Sequence, residues 1–177
     1  DGGSLVVGAY QVNAGLNNAV SGSGWDVGPW SREGWGDPSY ESLLSNTLRL
    51  WSQDNFGEDL LLNARNGGVY YWEASTGLDT RAVNLTSLAG SSDAPTIAKQ
   101  IMVSDRDRHV LAFGCDGIGA GGIQDPLLIR FSSHESITDW TPTATNTAGD
   151  LRLGSGSEIV LALETRQQVL VFTDTTL

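Results

Sequence analysis

The sequence is poor in cysteine, lysine, helical periodicity and long apolar runs. Cys115 is the single cysteine, so no disulfide can form within the chain. That suits a reducing compartment, or a protein assembled in one. Lys99 is the only lysine, and ten basic residues stand against 21 acidic ones, for a net charge of −11. A chain this acidic is not held on nucleic acid by general counterion release. It is not drawn to an anionic membrane surface either. No apolar run approaches the roughly 20 residues of a membrane-spanning helix. No signal peptide is visible, and the first residue is not Met. No window gives an amphipathic helix of three turns; residues 43–51 allow one turn or two at most.

What is there reads as β-structure. At 177 residues and 40% hydrophobic, the chain is long enough for one domain with a real core. "DLLLNAR" (59–65) and "GVYYWEAS" (68–75) flank Asn66-Gly67, a strong hairpin-turn signal. "TIAKQIMVS" (96–104) and "RHVLAFGCD" (108–116) flank Asp105-Arg106-Asp107. "SEIVLALE" (157–164) and "QQVLVFTD" (167–174) flank Thr165-Arg166. Each run is short, rich in β-branched or aromatic residues, and bounded by turn formers. The fold class expected is all-β.

These hairpins resemble one another. Val110, Leu111 and Phe113 fall on Val169, Leu170 and Phe172 at an offset of 59. At an offset of 50, "DLLLNARNG" (59–67) falls on "HVLAFGCDG" (109–117); after the turn, "VYYWEAS" (69–75) falls on "LLIRFSS" (127–133). Repeats of about 50 to 60 residues, each with about four strands, mark β-propeller blades. A sandwich would also give short strands, but no recurring offset, so propeller-like antiparallel blades are favoured. The expected organisation is an irregular Gly/Trp-rich segment at 1–45 and about three blades at 46–177. The last hairpin stops where its pattern calls for another strand, so an incomplete segment of a larger propeller protein is expected.

Chemistry-bearing motifs are scarce. His109 and His134 lie in different hairpins, and His109 reads as a strand end rather than a base. No Gly-x-Ser-x-Gly and no Ser/His/Asp ordering stands out. Cys115 follows an apolar strand and reads as a buried small residue. Glu58 with Asp59, and Asp105 with Asp107, are more simply turn and strand-end residues than a glycosidase pair. "DGIGAGGIQD" (116–125) lacks the alternating oxygen ligands of a calcium loop and reads as a flexible insertion. Asn84-Leu85-Thr86 matches a glycosylation triplet that is common by chance. "SHESITDW" (133–140) has the Ser-to-Trp spacing of the Asp-box of propellers, with Glu135 and Ile137 replacing its usual Asp and Gly. That motif is structural. No enzyme activity, cofactor or metal is expected.

The aromatic residues raise a different question. Trp25, Trp30, Trp35 and Tyr40 recur every five residues, with Gly or Pro beside each tryptophan. Five fits neither the helix nor the strand period. The rings could pack within the chain, meet a protein partner or stack on sugar. Burial of at least two of the three tryptophans is expected, since three exposed ones would form an apolar patch. Asp105, Asp107, Asp116 and Asp125, in hairpin turns, are the candidates for an acidic face or lumen.

"SGWDVGPWSREGWG", "LRLWSQDNFGEDLLLNARNGGVYYWEAS", "DPLLIRFSSHESITDWTPTATNTAGDLRLGSGS" and "QVLVFTDTTL" together resemble the tail-hub or nozzle proteins of short-tailed bacteriophages, also called packaged-DNA stabilisation or tail tubular proteins. The resemblance runs over most of the chain from about Gln11. It implies a propeller-like subunit whose copies form a ring, commonly sixfold, below the portal and an adaptor. Such a ring would pass genomic DNA without sequence-specific binding, and a negative lumen would let the phosphate backbone slide. It implies a virion protein assembled in the host bacterial cytoplasm, away from any membrane. Proteins of that family are several times longer than this chain. The rival expectations are a host-surface glycan-binding or depolymerising tail protein, and a neck or decoration protein bridging other subunits.

Overall fold

The computed structural model describes residues 50–176; Trp25, Trp30, Trp35 and Tyr40 lie outside these described residues. Ten strands and two single 3-10 turns, Ala74–Thr76 and Leu85–Ser87, form the regular structure described. The all-β expectation is met. All strand pairing is antiparallel.

Strands β1 (Trp51–Phe56), β2 (Asp59–Ala64), β3 (Val69–Trp72) and β4 (Val83–Asn84) form one sheet in chain order. Strands β5 (Gln100–Val103), β6 (Val110–Phe113), β7 (Leu128–Phe131) and β8 (Gly149–Arg152) form a second, also in chain order. Strands β9 (Ile159–Glu164) and β10 (Val169–Thr173) form a hairpin. Gly57 opens the two-residue β1–β2 turn at φ 71°, a value that glycine adopts without strain.

Alternation along the second sheet divides the core into two layers. Ile101, Val103, Val110, Ala112 and Leu128 pack in one cluster with Leu61 and Val69 of the first sheet, Leu85 of the following 3-10 turn and Trp140 of the β7–β8 connection. Met102, Phe113 and Ile129 point the other way and pack on Ile159 and Ala162 of the hairpin. Strands β5, β6 and β7 are therefore buried on both faces, which is why they read as nearly continuous apolar runs, whereas the edge strand β8 is mainly exposed. Gly149 pairs with Phe131, and a Cβ there would lie 2.7 Å from the Phe131 ring. The missing side chain lets that ring lie flat across the strand.

Pairing defines which residues of the units correspond. Val110 pairs with Val103, and Val169 with Glu164. The second strands thus stand 59 apart, as the sequence suggested, and the first strands 61 apart. The difference is the shorter β9–β10 turn. Asn63 pairs with Ser52 and Phe113 with Gln100, which keeps the offset of 50 for β2 and β6. For the third strands the correspondence is Val69 with Ile129, since these pair with Asn63 and Phe113. That is two residues beyond the sequence alignment, and the even shift leaves each side chain on the same face.

Candidate functional site: the row of first strands and its acidic turns

The first strands of the second sheet and of the hairpin, β5 and β9, are gripped by side chains of the unit before them. The Ile101 N–H donates to Ser52 Oγ at 3.1 Å, and the Val103 N–H to Asp54 Oδ2 at 2.8 Å. Gln100 repeats the device one unit on. Its Oε1 accepts from the Ala162 N–H at 2.9 Å, and its Nε2 donates to the Ala162 carbonyl at 2.7 Å. The Asp105 N–H donates to Glu164 Oε1 at 3.0 Å. First strands face their neighbours edge-on, so their outward amides need partners that no sheet ladder supplies. Polar side chains at alternate positions supply them. Asn63 adds a buried tie: its Nδ2 lies 3.2 Å from the Ala98 carbonyl.

The candidate acids fall at opposite ends of β6. Asp105 and Asp107 are exposed in the β5–β6 turn, among Arg106 and Arg108. The Arg108 guanidinium lies 4.9 Å from the Phe56 ring, seating that turn on the end of β1. Asp116 and Asp125 belong to the β6–β7 connection at the other end. Asp116 is buried, so it lines no wet surface. Its carboxylate accepts from the Thr96 N–H at 2.9 Å, the Thr96 hydroxyl at 2.5 Å, the Ile97 N–H at 3.2 Å and the Gly122 N–H at 3.3 Å. It fastens the glycine-rich loop to the start of the second unit. Asp125 binds Arg152 Nε at 2.6 Å, and the bond from that guanidinium holds its carboxyl below the ordinary aspartate range. The four acids do not gather on one end.

The lone lysine is spent on packing. Lys99 is buried, and its Nζ reaches Glu158 Oε2 at 2.6 Å, tying the second sheet to the hairpin. Arg130 is buried too. Its Nη1 donates to the Asp116 carbonyl at 3.2 Å and its Nη2 to the Asp93 carbonyl, with the Trp140 ring centre 5.8 Å away. Trp140 closes the "SHESITDW" turn from inside: it is buried, and its Nε1 donates to the Ile137 carbonyl at 2.8 Å. Ser136 Oγ, rather than Glu135, braces that turn by accepting from the Asp139 N–H at 3.1 Å.

Chemically reactive groups are few. Cys115 is buried, and desolvation pushes its thiol up to about 12, with Asp116 adding to the rise and Arg130 opposing it. Such a thiol is a packing residue, not a nucleophile. Burial and a 2.6 Å bond to Asp59 likewise raise the Tyr71 hydroxyl. The structure brings His109 and His134 together, with ring centres 6.0 Å apart, although the sequence places them in separate runs. His109 Nδ1 lies 2.7 Å from the Ser132 carbonyl. Among the described residues no group of three or more His, Cys, Asp or Glu could hold a metal. No described helix is long and apolar enough to cross a membrane.

Sequence reasoning missed the gripping residues Ser52, Asp54 and Gln100. Their one signal is a polar residue recurring at alternate positions of a strand, which resembles a solvent-facing pattern. No protein family, curated protein or solved structure matches the chain.

Proposed function

We propose that the chain is a structural protein of a bacteriophage tail, built from propeller-like blades. Its copies form a ring, commonly sixfold, in the hub or nozzle below the portal and adaptor. The ring is part of the conduit that retains packaged DNA and then releases it. The observation that carries this reading is the repetition. Two four-stranded meanders and a hairpin follow one another, each gripping the next through its first strand. Serial sheets with neighbouring first strands are the building plan of a propeller. The resemblance of the sequence to nozzle proteins supplies the tail assignment. The dense side-chain-to-backbone bonding suits a part that must hold its shape under load. The exposed Asp105 and Asp107 suit a wall that DNA slides past without sticking.

Cross-linking mass spectrometry on intact virions tests the reading. The chain should be present in a fixed copy number, linked to copies of itself and to a portal-proximal adaptor. Absence from particles, or links to host-surface glycan receptors alone, would overturn it.

A further inference from the structure

Asn66-Gly67 is the one Asn-Gly pair in the sequence, and it sits in the turn between β2 and β3. Asn66 is exposed, and its backbone is left-handed at φ 58°, a conformation that asparagine tolerates better than most residues. Gly67 has no side chain to shield its backbone nitrogen, which follows the Asn66 side-chain amide directly in the chain. Two bonds keep these groups apart. The Gly67 N–H donates to the Ala64 carbonyl at 2.7 Å, and Asn66 Oδ1 accepts from Gln124 Nε2 at 3.1 Å. Asp116-Gly117 is the internal contrast. Asp116 is buried, and the amides of Thr96, Ile97 and Gly122 hold its carboxylate away from Gly117.

We infer that Asn66 is a site of spontaneous covalent change whose rate the folded turn controls. The Gly67 nitrogen attacks Asn66 Cγ and gives up its proton. The new C–N bond replaces the side-chain one, and ammonia leaves. Water then opens the five-membered imide at either carbonyl, giving Asp or isoaspartate at position 66. Water is the only co-reactant, and no electrons change hands. The Gly67 nitrogen must first leave the Ala64 carbonyl, so the reaction runs through local opening of the turn.

The two products differ in consequence. Asp keeps the main chain unchanged and an oxygen for Gln124 Nε2. Isoaspartate routes the main chain through the side-chain carbons and lengthens it by one. The lengthened turn leads into a residue that joins the first two sheets: the Gly67 carbonyl accepts from the Ala98 N–H at 3.0 Å and from Asn63 Nδ2 at 3.1 Å. Isoaspartate therefore loosens that joint, whereas Asp leaves it closed.

The test incubates the full chain at mildly alkaline pH, folded and in urea, and follows it by peptide mapping. Asn66 should gain the mass difference between an amide and an acid in both, several-fold more slowly when folded, while Asp116 of the folded chain stays unisomerised. Gln124→Ala should speed the folded reaction several-fold and leave the rate in urea unchanged. Gly67→Ala should slow it in urea, where folding plays no part. Chain rich in isoaspartate, identified by methyl transfer from an isoaspartyl methyltransferase, should melt below the parent, and Asn66→Asp close to it. An Asn66 that stays intact in the folded chain, folded conversion as fast as in urea, or indifference to Gln124→Ala overturns the inference. So does isoaspartate-rich chain that melts with the parent.

Discussion

Gln100 holds Ala162 by both ends of its amide, at 2.9 Å to the Ala162 N–H and 2.7 Å from the Ala162 carbonyl. Glutamine is the side chain suited to this, because its donor and acceptor match one residue's backbone. Gln100→Ala leaves both groups of a buried residue unpaired. The expected loss is about 1–3 kcal/mol, read as a lower urea midpoint with unchanged slope. Gln100→Glu keeps an acceptor for the N–H but sets a carboxylate against the carbonyl, and should lose a comparable amount.

Gly149→Ala should be destabilising although the residue it adds is small. The new Cβ would sit 2.7 Å from the Phe131 ring, which must swing aside. Overpacking of this kind is worth about 1–3 kcal/mol. A second change, Phe131→Leu, removes the ring and should recover much of the loss in a double-mutant cycle on thermal melts.

Much of this was legible in the sequence, and the exceptions have physical causes. The β2–β3, β5–β6 and β9–β10 hairpins show because they carry apolar strands around clear turn signals such as Asn66-Gly67. β1 does not. Its outward positions Trp51, Gln53 and Asn55 are exposed, and its inward ones include Ser52 and Asp54, which bond to the next strand instead of packing. Of residues 43–51, which the sequence allows one or two helical turns, 43–49 lie outside the described residues, and Trp51 begins a strand. β8 is an edge strand of mainly exposed residues and has no apolar alternation to find. Asp116 reads as a turn acid, but turns inward because two backbone amides and a hydroxyl at Thr96 and Ile97 face it. Sequence spacing gives neither direction nor burial at such a turn.

Removing Glu158 should be worse than removing the whole ion pair. Lys99 is the buried partner, whereas Glu158 is half exposed. Glu158→Gln strands an ammonium in the core, which should lower stability by about 1–2 kcal/mol after solvent screening. The double variant Lys99→Met with Glu158→Gln should melt above the single one.

Two titrations have opposite signs. Asp125 is held below its ordinary range by Arg152, so its contribution is full above about pH 4 and fades as pH falls through the lowered value. Arg152→Ala should therefore flatten the acid limb of stability against pH. Cys115 is pushed up to about 12, so the folded state keeps its proton longer than the unfolded chain does. Stability should fall as pH rises from about 8.5 towards that value. At pH 8 a thiol reagent should label the denatured chain and leave the native one unlabelled.

The most direct measurement of serial sheets joined through gripped first strands is residue-resolved hydrogen exchange in the native state. The amides of Ile101, Val103 and Ala162 have side-chain acceptors on the preceding unit, at 3.1, 2.8 and 2.9 Å. All three should exchange slowly, comparably to amides inside the β5–β6 ladder. Ser52→Ala should release Ile101, Asp54→Ala should release Val103, and Gln100→Ala should release Ala162, each leaving the other two protected. Fast exchange of these amides in the unmodified protein, or protection that survives removal of the gripping side chain, would contradict the account.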